Sequence, residues 1–108
     1  MQVLKFGGSS VANAQNMSKV VDIVANAVDR DRTILVASAI SGCTDTLIQI
    51  GTLASQRDET YKSLIDELQE KHHTVIREFL PREKQEDSIE VCDSLFDSLR
   101  SIAQGVFL

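Results

Sequence analysis

Residues 3–11 read Val-Leu-Lys-Phe-Gly-Gly-Ser-Ser-Val, and this stretch decides how the rest of the chain is interpreted. The apolar residues from Val3 to Phe6 predict a short buried strand, which two glycines end before a helical pattern begins. Glycines let the backbone approach an anion closely, and the first N–H groups of a helix lack intrahelical partners. Lys5 adds a positive charge at the end of the strand, and no Asp or Glu lies between Lys5 and Val21. The stretch therefore predicts a phosphate-binding turn.

The order of residues in this turn leaves an alternative open. Lys5 precedes the glycines, so the stretch matches neither the GxxxxGK[ST] phosphate loop nor the GxGxxG dinucleotide fingerprint. A plain strand, glycine turn and serine-capped helix would give the same letters.

The next forty residues predict a βαβ unit. Apolar residues recur at helical spacing from Val11 to about Val28, at Met17, Val20, Val21, Val24, Ala27 and Val28. Thr33-Ile34-Leu35-Val36-Ala37 then forms an unbroken apolar run, which is typical of a strand covered on both faces. Two strands joined by a helix are expected to be parallel, and ligands of such sheets bind beyond the carboxyl ends of the strands.

The segment after the second strand carries hydroxyl groups to that same edge. It reads Ser38-Ala39-Ile40-Ser41-Gly42-Cys43-Thr44-Asp45 and leads into a helix near Thr44. Hydroxyls beside a helix start suit a small anionic substrate such as a carboxylate. Pattern alone favours an ordinary strand-to-helix loop in which Thr44 is an N-cap.

The remaining residues predict three further helices. The first continues from Thr46 to about Gln56, and a longer one follows Asp58-Glu59-Thr60 and stops at Pro81. A polar stretch from Arg82 to Asp87 is expected to precede a last helix that begins near Ser88. His72 falls on an apolar stripe, which indicates a core or boundary histidine.

Cysteine spacing and the outer carboxylates predict no metal site. Cys43 and Cys92 are far apart and lack the CxxC or Cys–His spacing of zinc sites, so reduced thiols are expected, with Cys43 as a packing residue. Glu86, Glu90, Asp93 and Asp97 recur at helical spacing and indicate a solvated face rather than a Mg²⁺ site.

Charge and hydropathy exclude several classes of protein. The 108 residues carry a formal charge of −5, with 43% hydrophobic and 25% charged residues, and no Lys/Arg cluster suited to nucleic acid. Residues 1–56 are neutral overall, whereas residues 57–108 carry the whole net charge of −5. No stretch is long enough to span a membrane and no signal-peptide layout is present, so a cytoplasmic location is expected.

The chain also has the features of a piece of a larger domain. Two strands alone leave both edges of the sheet open. The last helix stops at Gly105-Val106-Phe107-Leu108 without a cap, a basic last turn or a proline. We therefore expect residues 1–108 to be an incomplete N-terminal part, in which residues 1–56 carry both loops and residues 57–108 are helical.

Both loops resemble those of the aspartokinases. Lys5-Phe6-Gly7-Gly8-Ser9-Ser10 matches the KFGG[TS]S signature, and the flanking Val-Leu and Val-Ala-Asn-Ala are most similar to bifunctional aspartokinase–homoserine dehydrogenases. Ser38 to Thr44 matches the SAxxGxT arrangement of the family's second loop. The resemblance extends over the whole chain in layout and is close at these two loops.

The resemblance implies a fold and an activity. The fold would be the N-terminal portion of an amino-acid-kinase α/β/α sandwich, here a helix-dominated α/β piece with a βαβ unit followed by three helices. The activity would be phosphorylation of the L-aspartate side chain by ATP with Mg²⁺, in a homo-oligomer that binds neither nucleic acid nor membrane. The 108 residues alone are expected to be inactive, because the resemblance places other parts of the site elsewhere.

The resemblance also implies roles for individual residues. Lys5 would stabilise charge in the transition state, the ATP phosphates would lie against Lys5 and residues 6–10 (Phe6, Gly7, Gly8, Ser9 and Ser10), and Ser38 and Thr44 would hold aspartate. Two alternatives stay open. One is a kinase of the same fold acting on glutamate, carbamate or a nucleoside monophosphate, and the other is a non-catalytic helical interaction module.

Overall fold

A computed structural model describes all 108 residues and shows an α/β chain dominated by helices. Its elements are β1 (Gln2–Phe6), a 3₁₀ turn (Gly8–Val11), α1 (Ala14–Arg30), β2 (Thr33–Ala37), α2 (Cys43–Ser55), α3 (Tyr61–Phe79) and α4 (Arg82–Phe107). The predicted βαβ unit followed by three helices is confirmed. The chain divides into two compact units, residues 1–42 and 43–108. The division falls at residue 42 rather than 56 because α2 packs on α3 and α4.

The first unit is built on the parallel pairing of β1 with β2. The register pairs Lys5 with Val36 and Phe6 with Ala37. One further hydrogen bond extends the ladder, since the Ser38 amide donates to the Phe6 carbonyl at 3.0 Å. The carboxyl ends of both strands therefore meet at one edge, as predicted.

Neither strand is as buried as the sequence predicts. Val3 is 60% exposed and Leu35 is 48% exposed, so the expectation of strands covered on both faces is wrong for this chain. The cause lies in the number of layers. In the first unit only α1 packs against the sheet, and β1 alternates between half-buried and exposed residues.

Two predicted helix starts are also wrong. Helix α1 begins at Ala14 and not directly after the serines, because residues 8–11 form the 3₁₀ turn and the Asn13 side chain caps the helix by accepting from the Asn16 amide at 2.8 Å. Helix α4 begins at Arg82 and not near Ser88. Pro81 suits a helix start because it has no N–H to satisfy, and the Arg-Glu-Lys-Gln-Glu that follows consists of strong helix formers.

The second unit holds a core shared by α2, α3 and α4. Its buried members are Cys43, Ile50, Ala54, Tyr61, Ile65, Leu68, Cys92, Phe96 and Ala103. Cys43 is a packing residue, as predicted, and both thiols are free. His72 is a boundary histidine, as predicted, because its Nδ1 lies 2.8 Å from the Leu68 carbonyl and its ring contacts the edge of Phe96. None of the helices is both long and apolar enough to cross a membrane.

Polar side chains join α3 to α4 along the margin of this core. The Asp93 carboxylate lies 2.6 Å from His73 Nε2 and accepts from the Gln69 amide at 2.7 Å. These hydrogen bonds hold the pKa of Asp93 below its usual range. Burial, and then the adjacent Asp93 charge, raises the pKa of the Cys92 thiol. The predicted solvated face is therefore wrong at Asp93, which is half-buried and paired.

The contribution of the core is testable on two isoleucines of α2. Ile50 is 1% exposed and Ile48 is 64% exposed, so both lose the same atoms in an Ile→Ala change but only one leaves a cavity. We expect Ile50→Ala to lower the free energy of unfolding by about 2–5 kcal/mol, and Ile48→Ala to change it by less than about 0.5 kcal/mol. Urea titration followed by circular dichroism measures both. Equal losses in the two variants would contradict the core described here.

Candidate functional site

The segments that follow β1 and β2 lie side by side. Gly8 faces the second segment, because a Cβ placed on it would lie 3.5 Å from the Ser41 Cα and 3.6 Å from the Ala39 carbonyl oxygen. The same point lies 3.7 Å from the Ser38 Oγ. A Cβ at Gly8 would thus be in van der Waals contact with the second segment, and a side chain longer than a methyl group would have little room there. The structure therefore brings residues 6–10 and 38–41 to one edge of the sheet.

The turn after β1 is tighter than a simple entry into α1. Gly7 is extended, with φ −77° and ψ 178°, and its carbonyl accepts from the Ser10 amide at 3.1 Å. The amides beside the glycines thus belong to a four-residue 3₁₀ turn, and the N-terminus of α1 is already capped by Asn13. The Asn16 side chain braces the turn by donating to the Ser9 carbonyl at 3.0 Å. The turn and the side chains near it therefore supply groups that can support an anion here, and the Asn13 cap occupies one amide of the first turn of α1.

An open hollow of about 310 Å³ lies between the turn and α1. Its lining consists of Phe6, Ser9, Ser10, Asn16, Lys19, Val20 and Ile23. Two serine hydroxyls, an amide and an ammonium group give it hydrogen-bond donors and positive charge, which suit a phosphate or carboxylate.

Lys19 is the residue that sequence reasoning missed. It lies three residues after Asn16, so both side chains occupy one face of α1. That spacing was the signal available in the sequence. The prediction places the positive charge of the site at Lys5 alone and therefore does not use this spacing.

Lys5 lies apart from this hollow. Successive side chains of a strand point to opposite faces, so Lys5 shares the exposed face of β1 with Val3, whereas Phe6 is on the face that α1 covers. The residues predicted to bind phosphate therefore lie in different places. Phe6, Ser9 and Ser10 line the hollow, Gly8 faces the second segment, and Gly7 has open space around it.

The two predicted substrate residues belong to different compact units. Ser38 is exposed and directly follows β2, with its hydroxyl close to Gly8. Thr44 is exposed in the first turn of α2, within the second unit. Gly42 ends the first unit in the left-handed region at φ 84°, a conformation that glycine adopts at little cost.

The chain is similar to known proteins over most of its length. The model of the amino acid kinase family matches residues 1–104. The chain is 26% identical over 98% of its length to the bifunctional aspartokinase/homoserine dehydrogenase 2, chloroplastic, of Arabidopsis thaliana, of which it covers 12%. It is 37% identical over 63% of its length to the bifunctional aspartokinase/homoserine dehydrogenase, chloroplastic, of Daucus carota, of which it covers 7%. It is 30% identical over 96% of its length to aspartokinase 2, chloroplastic, of Arabidopsis thaliana, of which it covers 18%. The chain thus spans less than a fifth of the length of these relatives.

The contact between the two segments gives a paired test on the glycines. Gly8→Leu places a side chain against the backbone of Ser41, whereas Gly7→Leu points into open space. We expect Gly8→Leu to weaken the Ser38 amide hydrogen bond, with an overpacking cost of about 1–3 kcal/mol. Hydrogen exchange of the Ser38 amide, measured by NMR, should be at least about tenfold faster in Gly8→Leu and unchanged in Gly7→Leu. Unchanged exchange in both variants would show that the segments are not in contact.

Proposed function

Because the chain belongs to the amino acid kinase family, we propose that it supplies the phosphate turn and part of the acceptor site of an aspartate kinase. The observation that carries the proposal is the meeting of two segments, 6–10 and 38–41, at one sheet edge. Each of them matches an aspartokinase motif, and several of the relatives found by comparison are named aspartokinases. The reaction would be transfer of the ATP γ-phosphoryl group to the side-chain carboxylate of L-aspartate.

The chemistry requires little from the protein beyond position and charge. A carboxylate is already ionised at neutral pH, so no general base has to remove a proton before it attacks the γ-phosphorus. The P–O bond to ADP breaks as the acyl phosphate forms, and charge on the transferring oxygens must be stabilised. In the proposal, the serines, Lys19 and the backbone of the turn bind phosphate oxygens on the side of the hollow, whereas Lys5, on the exposed face of β1, stabilises charge on the transferring group.

The turn offers Mg²⁺ few ligands of its own. No Asp or Glu lies between Lys5 and Val21, and the hydroxyls of Ser9 and Ser10 are the side-chain oxygens in the turn. These residues fit an ion that is held mainly by the phosphates of the nucleotide, which is how Mg²⁺ commonly binds in phosphoryl-transfer sites. When bound, Mg²⁺ would neutralise charge on the phosphate oxygens.

The position of Ser38 supports a role for the second segment in binding the acceptor. Its exposed hydroxyl lies beside Gly8, close enough to the phosphate turn to hold an acceptor that reacts with the γ-phosphoryl group. In the proposal, Ser38 binds aspartate, and the role of Thr44, which belongs to the second unit, stays a prediction. Glutamate, carbamate or a nucleoside monophosphate as acceptor is the alternative within the family, and competition assays separate these from aspartate.

Assembly and location are part of the proposal. Three apolar side chains of α4, namely Val91, Leu95 and Ile102, are more than 60% exposed, which supports a homo-oligomer. A cytoplasmic location stays a prediction, and the three relatives described above are chloroplastic by name. We expect the 108 residues alone to show no turnover, because they span 11–18% of the relatives that they match over nearly their whole length.

A chimera tests the proposed function. This chain replaces its matched segment of 106 residues in the Arabidopsis bifunctional aspartokinase/homoserine dehydrogenase 2. ATP-dependent formation of aspartyl phosphate, trapped as the hydroxamate, is the expected result. Homoserine dehydrogenase activity of the same chimera reports whether the rest of the protein is folded. A chimera that retains dehydrogenase activity and forms no acyl phosphate would overturn the proposal.

The same chimera tests Lys5. We expect Lys5→Ala to lower kcat by about 10²–10³-fold with little change in KM for aspartate, because its charge matters most as charge shifts in the transition state. Lys62→Ala is the matched control, since Lys62 is an exposed lysine of α3 that pairs only loosely with Glu59 at 3.9 Å. Equal kcat values for the two variants would remove Lys5 from the reaction.

A further inference from the structure

Three potential metal ligands converge between α3 and α4. One ligand atom from each of His73, Cys92 and Asp93 lies within 4.8 Å of the other two. The shortest separation is 2.6 Å, between His73 Nε2 and Asp93 Oδ1. Together they offer one imidazole nitrogen, one sulfur and one carboxylate oxygen, which are the three kinds of protein ligand that zinc uses.

A neighbouring side chain holds Asp93 in position. The Gln69 side-chain amide donates to Asp93 Oδ1 at 2.7 Å, and the Arg100 guanidinium in turn donates to Gln69 Oε1 and, at 2.8 Å, to Asp66 Oδ1. The Glu70 carboxylate lies 4.0 Å from His73 Nδ1. That separation is too long for a hydrogen bond, so Glu70 acts on His73 through its charge, which favours the proton on Nδ1 and leaves Nε2 for an ion.

The position of Cys92 distinguishes this cluster from a simple hydrogen-bonded His–Asp pair. Cys92 is 9% exposed and belongs to the core, and its sulfur lies within 4.8 Å of the ligand atoms of His73 and Asp93. The His73 side chain is 15% exposed and that of Asp93 is 42% exposed, so an ion can enter from the Asp93 side. The cluster therefore combines a soft donor on the core side with an open approach from solvent.

We propose that His73, Cys92 and Asp93 form a binding site for one Zn²⁺ ion that fastens α3 to α4. Ligand atoms of a tetrahedral zinc lie about 3.3–3.8 Å apart, given bonds of 2.0–2.3 Å. To bind an ion, the His73 and Asp93 atoms must move apart from their hydrogen bond of 2.6 Å, and the three ligand atoms, which now lie within 4.8 Å of one another, must reach that spacing. A water molecule completes the fourth position. The site is independent of the proposed kinase reaction.

The chain contains its own matched controls. It has two cysteines and two histidines, and one of each, Cys43 and His72, lies outside the cluster. Titration of the reduced 108-residue protein with Co²⁺ should give a thiolate-to-cobalt charge-transfer band that saturates at one equivalent and is displaced by Zn²⁺. Cys92→Ser and His73→Ala should weaken binding by more than about 100-fold, whereas Cys43→Ser and His72→Ala should remain within about threefold.

Absence of the band, its persistence in Cys92→Ser, or equal losses in the control variants would overturn the site. Circular dichroism establishes that each variant is folded. If Cys92→Ser unfolds, Gln69→Ala decides, because loss of the amide that holds Asp93 should weaken cobalt binding by about 10–100-fold, while Gln104→Ala, at an exposed position of α4, has no effect. Equal affinities of those two variants would contradict the arrangement. Saturating Zn²⁺ should also raise the Tm of the unsubstituted protein by about 10 °C.

Discussion

The parallel pairing of β1 with β2 is the constraint on which the first unit depends. It aligns the ends of the strands so that the Ser38 amide bonds to the Phe6 carbonyl at 3.0 Å. That bond brings Gly8 beside residues 38–41, where a side chain larger than hydrogen would fill the remaining space. A polar surface suited to an anion follows from the topology of the strands, because parallel strands end at the same edge.

The second unit is stabilised differently. Three helices bury a shared apolar core. Hydrogen-bonded polar side chains, which include Gln69 and Arg100, join α3 to α4 at the margin of that core. Burial supplies most of the stability of such helices, since helix propensity alone is too weak. The marginal polar groups add specificity, because paired groups leave no buried polar atom unsatisfied.

The sequence predicts the order and type of the elements but not their surroundings. The unbroken apolar run at residues 33–37 identifies β2, because a short run of this kind is typical of a strand. The run does not show how many layers cover the sheet, and Leu35 is 48% exposed because only one layer does. The predicted start of α1 is wrong because Asn13, and not Ser9 or Ser10, caps the helix. The place of Lys19 beside the turn and the meeting of His73 with Cys92 depend on packing between elements. The spacing of Lys19 from Asn16 puts both side chains on one face of α1, but it does not show that the turn packs there.

In the proposed aspartate kinase, the two segments at the sheet edge divide the substrates between them, with nucleotide at residues 6–10 and aspartate at Ser38. Steady-state kinetics of Ser38→Ala in the aspartokinase chimera tests it most directly. Loss of one hydrogen bond of about 0.5–1.5 kcal/mol should raise KM for aspartate by about 2–10-fold and leave KM for ATP unchanged. A rise in KM for ATP with KM for aspartate unchanged would contradict the division.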